Sequence, residues 1–396
     1  MQRILFVRGG KAPPWEAPVL ESLRNSGFDA KFLVPSLNRM VNDELQLVAR
    51  NFNSSQALGR LMNNSFPARV LNYGFNIKTR EYSSRYFGLD SIIKDSDILH
   101  LVDDLYRPSA QAIKYSPNTI MTIWENIPFN FGIENGVPSA RLRETVFKKV
   151  KKFLPVTIES KKYLEALGIP EEKIEVVYPG ISPDDFNINR QTATEAREIK
   201  EMGKPVILGV ARVEYFKGIT YTLRALWELK KKGMDFTYIH IGSGSPKFKQ
   251  YCLEMTRELG LEGSVHFLNN VDYDQMADYY SICDVFVLPS IPTLLWEEQL
   301  GFSLLEAMAS KKPVIASDLP AIREVVGENC GYLIPPGNYL ALEESLRKLI
   351  TDPEIGKIMG SNGRKRVEEK FNAKKTAATY SRIYDEILEH DRMSGL

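Results

Sequence analysis

An α/β fold of two doubly wound domains is predicted by three observations. Short apolar runs alternate with helix-period segments almost throughout, the pattern of parallel sheets covered by helices. The alternation lapses over 187–203, a polar stretch without a strong apolar period, and restarts with Val206-Ile207-Leu208-Gly209-Val210. Such a stretch is the best candidate for a domain boundary. The 396 residues, 43% hydrophobic and 26% charged, suffice for two cores of ordinary size. The expected division is 1–188 and 189–373.

In the first half, Ile4–Val7 reads as a buried strand and Arg8-Gly9-Gly10-Lys11 as the turn after it. A helix is expected from about Pro14 to Ser26, with Val19, Leu20 and Leu23 inward and Gly27 as its stop. Gly9-Gly10 lacks the G-x-G-x-x-G spacing of a dinucleotide fingerprint, but that turn lies at the ligand-binding edge of a doubly wound sheet. Strand Ala30–Val34 follows. Leu45-Gln46-Leu47-Val48 reads as a helical pattern and Val70-Leu71-Asn72-Tyr73 as a weak strand. Strands Ile98–Val102 and Ile120–Trp124 bracket a helix near Pro108–Lys114. The second of these strands ends in Glu125-Asn126, a polar pair at the edge where such folds place ligand groups.

A basic amphipathic helix is expected over Arg141–Phe153, with Leu142, Val146, Val150 and Phe153 as its apolar stripe. Its lysines admit peripheral contact with an anionic membrane, against the plainer reading of a solvated face. Strand Phe153–Val156, a helix over Glu159–Leu167 and strand Ile174–Tyr178 complete this half.

In the second half, the strand at 206–210 leads to a loop with Arg212 and Lys217, and Gly218 opens a helix with Ile219, Leu223 and Leu226 on one face. Strand Phe236–Ile241, loop Gly242-Ser243-Gly244 and a helix with Phe248, Tyr251, Cys252, Met255 and Leu259 on one face come next. Strands Val265–Leu268, Val285–Leu288, Pro313–Ala316 and Tyr332–Ile334 continue the alternation. The last helix runs from Lys374 to about Glu389.

Bulk properties exclude several functions. A net charge of +1 gives no basic surplus for nucleic acid. No apolar run approaches the ~18 residues of a membrane span. Residues 1–7 reach Arg8 too early for a signal peptide. Cys252, Cys283 and Cys330, and the four histidines, show no metal or redox spacing, so no structural zinc and a reducing, cytoplasmic setting are expected.

The stretch Trp296-Glu297-Glu298-Gln299-Leu300-Gly301-Phe302-Ser303-Leu304-Leu305-Glu306 carries the chemistry. It follows the strand Val285–Leu288 and opens a helix near Gly301. A helix start offers amides and partial positive charge to phosphate oxygens. Arg212 and Lys217 pair a planar fork with a compact charge, which suits a diphosphate. Glu306 has the acceptor capacity that a ribose diol requires, and Glu298 that of a second polyol. In register on successive strand–loop–helix units, these groups suggest a nucleotide diphosphate joined to a sugar.

The segments Gly209-Val210-Ala211-Arg212 with Lys217-Gly218, Ile241-Gly242-Ser243-Gly244, Val265-His266-Phe267, Asp284–Ser290, Glu298 to Glu306, and Lys312–Ser317 resemble, in order, the retaining glycosyltransferases of family four. The likeness is strong from about 150 to 375 and weaker before that.

This resemblance implies the GT-B fold, two Rossmann-like domains facing across a cleft, with the helix at about 374–396 packing back on the first. It implies a retaining, metal-independent hexosyltransferase, without cofactor, acting on a nucleotide-sugar donor and a hydroxyl acceptor. Arg212 and Lys217 would hold the donor diphosphate, Glu298 the transferred sugar and Glu306 the ribose. Gly301, Phe302 and Ser303 would offer amides to the distal phosphate. The base would lie near Val265, Phe267 and Leu268, with Gly10, Gly242 and Ser243 also on the donor.

Two departures stand out. Glu125-Asn126 occupies the place where many relatives carry a histidine, which makes Glu125 the first candidate to replace it, Asn126 the second and His100 the third. Ile291–Trp296 lengthens the loop before Glu298. A non-catalytic nucleotide-sugar-binding subunit and a GT-B epimerase are the alternatives.

Overall fold

The computed structural model describes residues 1–7, 12–34, 41–48, 50–52, 85–87, 89–102, 107–116, 118–124, 144, 146–186, 194–294 and 296–394. The chain divides into two compact units, Met1–Pro179 with Ala373–Leu396, and Gly180–Asn372.

The strands are β1 (Arg3–Val7), β2 (Asp29–Val34), β3 (Gln46–Val48), β4 (Arg50–Phe52), β5 (Arg85–Phe87), β6 (Ile98–Val102), β7 (Thr119–Ile123) and β8 (Lys152–Pro155) in the first unit. The second unit has β9 (Val206–Val210), β10 (Thr237–Ile241), β11 (Val265–Leu268), β12 (Val285–Leu288), β13 (Val314–Ser317) and β14 (Gly331–Ile334). Two six-stranded sheets have the orders β3-β2-β1-β6-β7-β8 and β11-β10-β9-β12-β13-β14, with every pairing in them parallel, and β4 pairs with β5 in a separate antiparallel ribbon. Each six-stranded sheet grows outward in one direction, returns to its first strand and grows the other way. Each therefore has a topological switch point, at β1/β6 and at β9/β12, where doubly wound folds bind ligands.

Parallel strands bury both faces, which explains their continuous apolar runs. In β1, Ile4 and Phe6 enter one core while Leu5 and Val7 enter the other. The C-terminal helix Ala373–Ser394 supplies Ala377, Tyr380, Ile383 and Tyr384 to the Ile4–Phe6 side. His100 on β6 lies inside this packing. Its Nδ1 meets the Tyr384 hydroxyl at 2.7 Å and its Nε2 meets the Thr122 hydroxyl at 2.7 Å. Phe6 stacks on its ring at 4.3 Å. Burial holds its pKa down to about 3. Wholly buried and doubly bonded, His100 is a core residue and does not replace a catalytic histidine.

Three local expectations are corrected. Residues 46–48 form β3, not a helix, because they pair in parallel with Phe32–Val34 and complete the sheet edge. Phe153 belongs to β8, so the basic helix stops before it, with turn bonds from Lys148 N–H to the Glu144 carbonyl and from Lys149 N–H to that of Val146. Ile174–Tyr178 is an extended edge with one bridge, Phe153 to Ile174, not a full strand. The basic stripe is also partly engaged within the unit. Lys151 bonds Asp391 and Asn118, and Lys152 bonds the Glu172 carbonyl and pairs with Glu175. Among the described residues, no helix is long and apolar enough to cross a membrane. The expected strand at Val70–Tyr73, the turn at Gly9-Gly10, Glu125-Asn126 and residues 187–193 of the boundary stretch lie outside the described residues.

Candidate functional site

The site is built at the β9/β12 switch point of the second unit. The loop after β9 carries Arg212 and Lys217, and the loop after β12 runs from Pro289 to Gly301. Two glycines bring these loops and the loop after β10 together. Gly218 has φ +72°, and a Cβ there would lie 1.9 Å from the Pro289 carbonyl oxygen. Gly242 has φ +147°, and its Cβ would lie 2.1 Å from the Ala211 carbonyl oxygen. Only glycine permits both the dihedral and the approach. Val213 bridges Gly244 in parallel, and Ile291 N–H donates to the Phe216 carbonyl at 2.7 Å.

Lys217 and Glu298, 81 residues apart, meet here. Lys217 Nζ donates to Glu298 Oε2 at 2.5 Å, and the Ser290 hydroxyl donates to the same oxygen at 2.7 Å. Their side chains are only 12% and 10% exposed, so this pair is far less screened than a surface bridge. Trp296, brought back by the lengthened loop through a Thr293 N–H bond to its carbonyl at 2.7 Å, lies under the Lys217 ammonium at 4.6 Å. Arg212 is exposed, with its guanidinium 5.5 Å from the centre of the Phe216 ring, and it has no carboxylate partner among the described residues.

The helix Phe302–Ala309 is capped by Gly301 at φ +68°, with Phe302 and Ser303 as its first residues. Their amides fall in the turn that has no intrahelical acceptors. Glu306, one turn further, is buried. Its Oε2 accepts from the Tyr280 hydroxyl at 2.7 Å, and the Tyr273 hydroxyl also bonds to its carboxylate. Burial raises its pKa to about 7, against the lowering effect of the two tyrosine bonds. Glu298 and Glu306 therefore have separate neighbourhoods, one cationic and one phenolic.

On edge strand β11, Val265 is in the core and Phe267 packs against the same core, 5.6 Å from the His240 ring. The Leu268 carbonyl accepts from Gly242 N–H at 3.2 Å, which ties that strand end to the Gly242-Ser243 turn. His240 supports the arrangement. Its Nε2 lies 3.1 Å from the Ala211 carbonyl, so it must donate there, and its Nδ1 then accepts from the Tyr238 hydroxyl at 3.0 Å. Burial holds its pKa down to about 4, which keeps that tautomer neutral.

Of the residues singled out from the sequence, Arg212, Lys217, Glu298, Gly301, Phe302, Ser303 and Gly242 gather around these loops. Glu306, Ser243 and the β11 residues stand beside them in the same unit. Gly10, Glu125 and Asn126 lie outside the described residues. Sequence reading missed His240, Phe216, Trp296, Tyr273 and Tyr280 as partners. Only Trp296 had a local signal, its place at the end of the lengthened loop. Among the described residues, no group of three or more His, Cys, Asp or Glu could hold a metal ion.

Residues 191–366 match the model of the family described as "Glycosyl transferases group 1". An uncharacterised glycosyltransferase of Methanocaldococcus jannaschii, MJ1607, is 29% identical over 53% of this chain and 54% of its own length. The amylovoran biosynthesis glycosyltransferase AmsK of Erwinia amylovora is 30% identical over 57% and 54%. The chain thus spans about half the length of the curated relatives it matches. Among solved structures, a glycosyltransferase from Rickettsia africae has a TM-score of 0.71 at 23% identity, covering 98% of both chains. Anabaena HepE, solved with UDP and glucose, has a TM-score of 0.73 at 16% identity, covering 97% of this chain and 100% of its own. The fold is GT-B, with two Rossmann-like α/β domains on parallel sheets.

Proposed function

We propose that this chain is a glycosyltransferase that moves a sugar from a nucleotide diphosphate sugar to a hydroxyl acceptor with retention of configuration. The observation that carries this reading is the meeting of Lys217, Glu298 and Ser290 at the switch point, beside Arg212 and the start of helix Phe302–Ala309. The family-model match over 191–366 and the names of AmsK and MJ1607 support a sugar transfer. HepE, solved with UDP and glucose, supports a nucleotide and a sugar as ligands.

In this reading the bond from the sugar's anomeric carbon to the distal phosphate oxygen breaks, the acceptor hydroxyl oxygen bonds that carbon from the same face, and the hydroxyl proton passes to the departing phosphate oxygen. The negative charge that grows on the departing diphosphate is met by Arg212, Lys217 and the amides of Gly301, Phe302 and Ser303. Preorganised donors of this kind stabilise developing charge without a metal ion or other cofactor. Glu298 accepts from the hydroxyls of a transferred hexose, Glu306 from the ribose, and the base lies along the β11 end. Roles for Gly10, Glu125 and Asn126, which lie outside the described residues, rest on the sequence resemblance alone. Two carboxylates with such separate partners do not form a hydrolase acid–nucleophile pair.

The test begins with a thermal-shift panel of nucleoside diphosphates and their sugars, since a ligand that binds the folded state raises its apparent stability. Turnover on the best donor is then compared with that of Lys217→Ala and Glu298→Gln. We expect each variant to lose ~10²-fold or more in kcat. Full rates in both variants would overturn the assignment.

A further inference from the structure

Both cations of the site lie against aromatic rings, and of the two only Lys217 has a carboxylate partner among the described residues. Arg212 lies over the Phe216 ring, and Lys217 lies over the Trp296 indole, 4.6 Å from its centre, and 6.0 Å from that of Phe216. The two rings are themselves 4.2 Å apart at 40°. One ring belongs to the loop after β9 and the other to the loop after β12, and the Ile291 to Phe216 main-chain bond fastens those loops together. The aromatic pair therefore spans the switch point beneath both charges.

We propose that Phe216 and Trp296 form an aromatic shelf that spaces Arg212 and Lys217 and turns both toward one diphosphate. The physical reason lies in how each partner holds a cation. A carboxylate neutralises the charge it binds, whereas a ring face attracts a cation through its quadrupole and leaves the charge available to a ligand. Two like charges side by side also repel, and a shared apolar support fixes their separation without cancelling either. Glu298 now accepts from Lys217 and has further acceptor capacity. When sugar hydroxyls draw on that carboxylate, the indole face still holds the ammonium in place. Phe216 and Trp296 are thus positioning residues that act through the two cations and set the site's preference for the pyrophosphate part of its ligand. This inference rests on the donor reading above and deepens it.

The test uses the full chain and four probes, UDP, GDP, uridine and guanosine, with affinities measured by calorimetry or competition. Variants are Phe216→Leu, Trp296→Leu and a series of fluorinated tryptophans introduced at 296 alone. Fluorination weakens the ring quadrupole with little change in volume, so it works even if a leucine variant fails to fold. We expect diphosphate affinity to fall about 2- to 30-fold in each leucine variant and stepwise along the fluorinated series. Nucleoside affinity should be unchanged in every case. Equal losses for nucleoside and diphosphate, or a flat fluorinated series, would overturn the shelf while leaving the donor reading intact. Wild-type protein that binds no nucleoside diphosphate of the thermal-shift panel would overturn the donor reading, and the ligand of the shelf with it; a diphosphate and nucleoside of another base found there replace the four probes.

Discussion

Glu306 accepts from two tyrosine hydroxyls while buried, and burial raises its pKa to about 7. The ionised form therefore predominates only above about pH 7. If ribose hydroxyls bind to the carboxylate, nucleotide affinity should fall by up to ~10-fold per unit as pH drops below that point. Glu306→Gln should flatten the profile. The Tyr280 bond holds the pKa down, so Tyr280→Phe should move the inflection to higher pH; an unmoved inflection would refute the pairing. Buried histidines make stability, like that affinity, fall as pH drops. His100 has a folded pKa of about 3, below the unfolded ~6.5, so its contribution is complete above pH 6.5 and is lost as pH falls toward 3. Between pH 7 and 5 that loss is ~2 kcal/mol. His100→Gln should make urea midpoints correspondingly less dependent on pH in that window, whatever its effect at pH 7.

At the scale of elements, the switch-point loops depend on close backbone approach. Gly218→Ala would drive a Cβ against the Pro289 carbonyl, whereas Gly233, at φ +77°, has nothing within 4 Å. Gly233→Ala should cost only the ~1–2 kcal/mol of left-handed strain. Gly218→Ala should cost more and should also weaken diphosphate binding by parting the loops of Lys217 and Glu298; denaturation and titration of both variants check this. Strand and helix positions in the second unit were legible because uninterrupted apolar runs signal a parallel sheet. Leu45–Val48 misled because four apolar or neutral residues fit a helix as well as an edge strand, and the partner Phe32–Val34 decides. Arg212, Lys217 and Glu298 were legible as loop residues at strand ends. The tyrosines on Glu306 and the ring beneath Lys217 were not, because they come from distant segments and their spacing encodes no contact.

At the scale of the molecule, the helix Ala373–Ser394 completes the first unit. Tyr380, Ile383 and Tyr384 are buried there, at ~1.5–3 kcal/mol for each large apolar side chain. A chain ending at Asn372 should lose amide protection in β1, β2, β6 and β7 while keeping it in β9, β10 and β12; hydrogen exchange reads both sets at once. The chain also enters and leaves the second unit at neighbouring points. Ile181 N–H donates to the Phe371 carbonyl at 2.9 Å, and the Thr376 hydroxyl donates to the Tyr178 carbonyl at 2.8 Å. The second unit is therefore a cassette inserted into the first through two adjoining seams, at 179/180 and 372/373. A graft that cuts at those seams exchanges the whole cassette at two neighbouring chain positions, and on the donor reading proposed above the donor preference of the chimaera should follow the cassette.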